Sequence, residues 1–309
     1  MAPSVLLSDK IESVCPDLLK KAGFSVTEKS GLSPEALAQE IGLYDGLVVR
    51  SATTVTREVL AAGKKGSLKI VGRAGAGLDN IDVAAAQELG IKVVNTPGLN
   101  ANAVAELTVA LAIVLSRKLW VAFSSIKEGR WEKKGLVGTE LSGKVIGLVG
   151  LGYVGRLVAK KAKGLDMSVW AYDPFLKPED IAKAGAEPKS LAEIWAGSDY
   201  ISLHLPKTPD TLNLLSAETI AKLKKGAFVI NCARGGLVDE KALHEALASG
   251  HLGGAALDVF DQEPPGASPL LALPNFVATP HVGASSLEAQ LNVAEEVARL
   301  LVDFLGSKV

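Results

Sequence analysis

The stretch Val145-Ile146-Gly147-Leu148-Val149-Gly150-Leu151-Gly152-Tyr153-Val154-Gly155 runs from a β-branched apolar segment into glycines spaced G-x-G-x-x-G. The apolar run predicts a buried strand, and Tyr153 to Lys163 predicts a helix behind it. Each glycine then has its own reason. Gly150 permits the tight turn, Gly152 lets a pyrophosphate approach the backbone, and Gly155 lets the helix pack on the strand. Free amides and the dipole at the helix N-terminus favour an anion. The spacing alone is weak, because a chain with 31 Gly in 309 residues is expected to show roughly 0.3 such matches by chance. Asp173, at the end of the next predicted strand, completes the fingerprint. A carboxylate there accepts hydrogen bonds from ribose hydroxyls and repels a 2′-phosphate, which predicts NAD rather than NADP. The bland reading of Asp173-Pro174 is a plain turn.

Outward from this motif, short apolar runs alternate with amphipathic helical patterns. Strands are predicted at Val5–Leu7, Phe24–Thr27, Leu47–Val49, Leu68–Val71 and Ile91–Asn95. Ser33-Pro34-Glu35 and Asp82 read as helix starts between them. A long helical segment, Asn102 to about Glu128, precedes a second series of strands. These are Val145–Val149, Ser168–Tyr172, Tyr200–His204, Ala227–Asn231, Ala255–Val259 and Phe276–Thr279. Ser190 with Glu193, and Ser285 with Glu288, have capping-box spacing. The alternation predicts two doubly wound α/β domains with parallel sheets.

Composition narrows the function classes. Lys+Arg number 33 against Asp+Glu 34, a formal net charge of −1, so no nucleic-acid partner is expected. The most apolar stretch, Leu107–Leu115, is too short to span a membrane, and the N-terminus lacks a signal-peptide pattern. Cys15 and Cys232 have no metal-ligand spacing, and no metal is expected. The chain reads as a cytoplasmic protein.

Histidine is scarce, with four in the chain. His244 and His251 fall in or after a helix and read as surface residues, while His204 reads as a loop position beside the dinucleotide turn. His281 differs, because Ala278-Thr279-Pro280-His281 follows a strand and precedes the flexible Val282-Gly283-Ala284. That is the carboxyl edge, where open α/β sheets bind ligands. Arg234 and Glu263 leave two other strands at the same edge. Loops collect charges anyway, so spacing alone leaves a solvated surface open as the alternative.

Taken together, the motifs resemble the D-isomer-specific 2-hydroxyacid dehydrogenases nearly from end to end. The matching segments are Val49–Thr53, Val71–Asp82, Asn95–Gly98, Gly138–Lys144, the glycine motif, Asn231–Asp239, Gly254–Phe260, Glu263–Pro265 and Pro280–Ser285. The resemblance implies a flavodoxin-like substrate-binding domain, 1–98 with 285–309, into which a Rossmann NAD-binding domain, 99–284, is inserted. It implies that Arg234 binds the substrate carboxylate and 2-oxygen and that His281 is the general acid/base. Glu263 would orient the imidazole and stabilise its protonated form. Cofactor contacts carried over by position are Gly150, Gly152, Tyr153, Val154, Gly155, Asp173, Cys232, Ala233, Arg234, Asp258, His281, Gly283 and Ala284. Asp258 would face the nicotinamide carboxamide. One departure is Leu205-Pro206, where similar members have Thr-Pro.

The same resemblance points to a phosphorylated 2-hydroxy acid, 3-phosphoglycerate, oxidised by NAD in serine biosynthesis. Arg50 and Arg73 would hold its phosphate, with Ser51 and the backbone of Gly75, Ala76 and Gly77 completing the site. The bland reading of both arginines is surface solvation. The alternatives are a hydroxypyruvate or glyoxylate reductase, and an NAD-sensing corepressor that binds protein partners without turnover. The active site is expected between the domains. Val104–Leu115, Trp120 and Phe123 are expected in a homodimer interface, with a tetramer also open. At this length no C-terminal regulatory domain is expected.

Overall fold

The computed structural model describes residues 2–306, whose contacts divide into two compact units: 2–100 with 285–306, and 101–284. The first unit alternates β1 (Ser4–Leu7), α1 (Val14–Lys21), β2 (Ser25–Glu28), α2 (Pro34–Glu40), β3 (Gly46–Val49), α3 (Arg57–Lys65), β4 (Ile70–Arg73), α4 (Val83–Glu88) and β5 (Lys92–Asn95). Its sheet is parallel, in the order β2-β1-β3-β4-β5. Central strands β1, β3 and β4 are almost wholly apolar because helices cover both faces. Start signals form as the sequence predicts: Ser33 Oγ accepts the Ala36 amide at 3.3 Å and Asp82 Oδ1 accepts the Ala85 amide at 2.8 Å.

The last helix of the chain (Leu287–Gly306, α12 in chain order) belongs to this unit. It places Val293, Val297, Leu301 and Leu305 four residues apart on one buried face, against Val5, Leu7, Val48 and Ile70. Gly72 in β4 accommodates that helix. A Cβ there would lie 2.6 Å from Leu301 Cδ1 and 2.7 Å from Val297 Cγ2. The predicted Ser285–Glu288 capping box does not form. Ser286 is the residue that accepts the Ala289 amide (3.1 Å), and the helix begins one residue later than that box requires.

The second unit opens with α5 (Ala101–Arg117) and α6 (Leu119–Lys127), followed by β6 (Val145–Val149), α7 (Tyr153–Lys163), β7 (Ser168–Tyr172), α8 (Pro178–Lys183) and β8 (Glu187–Pro188). Then come α9 (Leu191–Gly197), β9 (Tyr200–Leu203), α10 (Ala217–Ala221), β10 (Phe228–Asn231), α11 (Glu240–Ala248), β11 (Gly254–Leu257) and β12 (Phe276–Ala278). The seven strands are parallel, in the order β12-β11-β10-β9-β6-β7-β8. Strand order reverses between β6 and β9, which makes their carboxyl ends the topological switch point.

Two further expectations are corrected. The long helix predicted from Asn102 to Glu128 is two helices bent by 71° at Lys118, whose φ is +51°. The cause is tertiary: the Ser116 carbonyl, which a continuing helix would need, accepts the Thr139 amide at 2.9 Å, and Lys118 Nζ donates to the Gly135 carbonyl. The strand predicted at Leu68–Val71 lies two residues later, which makes Arg73 its final residue. The edge strand β8 was not predicted. It is two residues long and includes a proline, so it carries no periodicity. Among the described residues no single helix is long and apolar enough to cross a membrane.

Candidate active site in the second unit

The glycine-rich turn is built as its spacing demands. Gly150 has φ +96° and donates its amide to the Tyr172 carbonyl at 2.8 Å. A Cβ on it would lie 2.4 Å from the His204 carbonyl oxygen, and one on Gly155 would lie 2.3 Å from the Gly150 oxygen. Gly152, the N-cap of α7, has nothing within 4 Å of the Cβ it lacks. Turn and helix are thus packed tightly beneath, with open space above the free amides where an anion can sit. Asp173 stands at this turn: its Oδ2 accepts the Leu151 amide at 2.9 Å and its Oδ1 the Phe175 amide at 3.0 Å. Each oxygen retains acceptor capacity for a hydroxyl. Tyr153 is exposed at the helix start and Val154 half-buried. These residues fit a dinucleotide.

His204 supports the turn from below. Its Nε2 lies 3.0 Å from Ser202 Oγ, and burial pushes its imidazole down to about 4, which keeps the ring neutral. His251 bonds the Ile220 carbonyl at 3.0 Å, which gives it a structural partner.

The loop after β10 carries Arg234. Asn231 folds it: its Nδ2 donates to the Arg234 carbonyl at 2.8 Å and its Oδ1 accepts the Ala233 amide at 3.0 Å. Its place at the end of a predicted strand is the one signal in the sequence for this role, since an Asn there is a known turn former. Cys232 is buried, and desolvation pushes its thiol up to about 12, so it stays protonated. Arg234 Nη1 donates to the Ala233 carbonyl at 2.7 Å. Gly235 then lies flush against the next loop: a Cβ there would sit 1.8 Å from the Phe260 oxygen.

Glu263 and His281 meet directly. His281 Nδ1 is 2.7 Å from Glu263 Oε2, and Glu263 Oε1 accepts the Phe260 amide at 3.1 Å. A carboxylate is an acceptor only, so the proton sits on Nδ1 and the neutral ring presents Nε2 as a base. Asp258, almost fully buried, accepts the Val282 and Gly283 amides at 2.8 Å each, and so anchors the loop that carries His281. A cavity of about 370 Å³ opens beside the pair, lined by Asp258, Phe260, Glu263, Pro265, Thr279 and His281 among others.

In the first unit, Arg73 ends β4 and Arg50 directly follows the neighbouring strand β3, whose last residue Val49 is paired to Arg73 in register. The Arg73 guanidinium folds over Gly75 so closely that a Cβ on Gly75 (φ +152°) would lie 2.2 Å from Nη1. Arg50 Nη1 pairs with Glu12 at 3.7 Å, and its carbonyl accepts Asn80 Nδ2 at 2.8 Å. Asp9 fixes the following turn through Thr53, whose hydroxyl it accepts at 2.7 Å. Ser51 is exposed. Asp9 and Glu12 lie far from the arginines in the chain, so no local pattern marks these contacts. Among the described residues no cluster of His, Cys, Asp and Glu has a metal-binding arrangement.

Similarity to known proteins agrees with this geometry. Residues 109–283 match the family described as D-isomer specific 2-hydroxyacid dehydrogenase, NAD binding domain. The D-3-phosphoglycerate dehydrogenase of Homo sapiens is 46% identical over 304 residues, covering 98% of this chain and 57% of its own length. That of Archaeoglobus fulgidus is 46% identical over 300 residues, 97% of this chain and 56% of its own. The chain thus spans somewhat over half the length of these relatives. A cofactor (NAD+)-bound 3-phosphoglycerate dehydrogenase from Entamoeba histolytica has a similar structure, with TM-score 0.85 and 31% identity over 100% of this chain and 97% of that one. The chain belongs to the D-isomer-specific 2-hydroxyacid dehydrogenase family, and most of its second unit is that family's NAD-binding domain.

Proposed function

We propose that the protein oxidises D-3-phosphoglycerate to 3-phosphohydroxypyruvate with NAD, the first step of the phosphorylated route to serine. The single observation that carries the chemistry is the 2.7 Å His281–Glu263 pair at the carboxyl edge of the second sheet. The substrate assignment draws on the relatives' names.

Each residue has a task its chemistry suits. NAD, when bound, accepts the hydride from substrate C2. Arg234 offers a permanently charged planar fork for the carboxylate and the 2-oxygen. His281 Nε2 takes the hydroxyl proton as the carbonyl forms, and Glu263 then faces an imidazolium, whose charge it stabilises. Gly150, Gly152 and Gly155 shape the turn for the pyrophosphate, Tyr153 and Val154 start the helix beneath it, and Asp173 selects the ribose. Asp258 Oδ2, with the segments Cys232–Ala233 and Gly283–Ala284, would hold the nicotinamide end of the cofactor. Arg50 and Arg73 take the phosphate, with Ser51 and the Gly75–Gly77 backbone. Both this assignment and its test are kinetic. Two charge-assisted contacts are worth about 100-fold or more in kcat/KM for 3-phosphoglycerate over D-glycerate. Equal values for the two substrates would remove the phosphate assignment.

A second reading, a glyoxylate or hydroxypyruvate reductase, is favoured by one observation: Glu12 already compensates part of the Arg50 charge. It predicts that glyoxylate with NADH is turned over faster than 3-phosphohydroxypyruvate. For assembly, Phe123, Ile126, Trp131 and Val137 are 57–82% exposed along residues 123–137, an apolar surface suited to a second copy, whereas Ala105, Leu111, Ala112 and Leu115 of the expected Val104–Leu115 interface are buried within the second unit. A homodimer of a cytoplasmic enzyme is the form this reading assigns. Sedimentation at a mass near the 32.1 kDa of one chain would reject the dimer.

A further inference from the structure

Four hydrogen bonds converge on one residue around His281. The main-chain carbonyl of Asp258 accepts the His281 amide at 2.9 Å. Its Oδ1 accepts the Thr279 hydroxyl at 2.6 Å and the Val282 amide at 2.8 Å, and its Oδ2 accepts the Gly283 amide at 2.8 Å. Asp258 is 1% exposed, so these bonds form away from solvent, where they are strongest. They enclose an unusual backbone: His281 has φ +52°, the left-handed region that a non-glycine residue adopts only when its surroundings hold it there. That conformation accompanies the contact of Nδ1 with Glu263.

Three of the four donors are main-chain amides, which no ordinary substitution removes. Thr279 is the exception. Its hydroxyl fills the second acceptor site on Oδ1, and it is the only side chain among the donors. Without it, the carboxylate is oriented by the Val282 and Gly283 amides alone.

We propose that Thr279 is a positioning residue for the acid/base. Its hydroxyl fixes the Asp258 carboxylate, Asp258 fixes the 281–283 backbone, and that backbone aims the His281 imidazole. The inference rests on the reaction proposed above for its kinetic consequence, but the clamp itself is a property of the unliganded chain.

Two variants separate the hydroxyl from the bulk of the side chain. Thr279→Val keeps the shape and loses the donor; Thr279→Ser keeps the donor and loses a methyl group. Deuterium exchange of the unliganded chain, read by mass spectrometry, follows the amides of residues 281–283. Turnover follows kcat and KM. In Thr279→Val, exchange at Val282 and Gly283 is expected to rise about tenfold, as one hydrogen bond to a charged group is lost. The same variant should lose about tenfold in kcat, with KM for 3-phosphoglycerate within about twofold. Thr279→Ser should restore both. Wild-type exchange or wild-type kcat in Thr279→Val would overturn the proposal. So would equal losses in the two variants, which would assign the effect to packing of the methyl group, or a rise in exchange spread evenly over the second unit. If the wild-type chain oxidises no hydroxy acid, the functional reading fails separately, and the exchange measurement still decides the clamp.

Discussion

His281 Nδ1 and Glu263 Oε2 stand 2.7 Å apart, while the other oxygen of the same carboxylate is held by the Phe260 amide at 3.1 Å. The carboxylate therefore cannot swing away from the imidazole without losing the hydrogen bond from the Phe260 amide. This pairing assigns the ring its tautomer and leaves Nε2 as the atom for the proposed proton transfer. His281→Ala should lower kcat by about 100-fold or more, the usual contribution of a general acid/base, with KM for 3-phosphoglycerate little changed. Glu263→Gln retains an acceptor but not the charge, and should fall between the variant and the wild type. Steady-state kinetics on the two variants checks the order; a kcat for His281→Ala within threefold of wild type, about 0.6 kcal/mol, would contradict it.

Arg73 is separable from this chemistry. Arg73→Ala should raise KM for 3-phosphoglycerate by about tenfold or more, at nearly constant NAD affinity and unchanged kcat/KM for D-glycerate. An equal loss on both substrates, measured side by side, would mean that the guanidinium serves the fold around Gly75 rather than the phosphate.

The dinucleotide turn yields a prediction about the choice of cofactor. Asp173 binds the Leu151 and Phe175 amides and keeps acceptor capacity toward a ribose. Asp173→Asn removes the negative charge that repels a 2′-phosphate. The ratio of kcat/KM for NAD over NADP should drop by about tenfold or more in that variant, chiefly through the NADP value. Gly150→Ala tests the turn itself. With φ +96° and a carbonyl oxygen 2.4 Å from the new methyl, it should cost about 2 kcal/mol or more of stability and abolish NAD binding, as read by denaturant melts and calorimetry.

His204 predicts how stability depends on pH. Its folded-state value of about 4 lies below the ordinary value of 6.5, so between these limits the unfolded chain binds a proton that the folded chain refuses. The contribution is complete above pH 6.5 and is lost as pH falls toward 4. It amounts to at most about 3 kcal/mol. His204→Gln should flatten the stability profile of the unliganded protein in that window, as measured by urea unfolding at a series of pH values. An unchanged slope would place the charged ring in the folded protein.

Much of this was legible in the chain itself, for reasons that differ by element. Ser33, Asp82 and Ser190 announced their helices because capping is local. The glycine turn was readable because only glycine satisfies φ +96° against the His204 carbonyl. Strand ends carried the ionisable residues in an order the eye can follow. The break at Lys118 was not readable, since Arg117-Lys118-Leu119 contains neither glycine nor proline and the Ser116 carbonyl is taken by a residue 23 positions later, Thr139. The Glu12 and Asp9 contacts to the Arg50 loop were hidden by the same separation. Thr279 was visible as a letter in a motif, but its bond to Asp258 exists only once two strands lie side by side.

The most direct measurement follows the transferred atom. With 3-phosphoglycerate deuterated at C2 and unlabelled NAD, the wild-type chain should form reduced cofactor that carries the deuterium, detectable by its mass, and His281→Ala should form almost none in the same interval. Reduced cofactor without deuterium, or no reduced cofactor from the wild-type chain, would contradict direct hydride transfer from C2 and with it the proposed reaction.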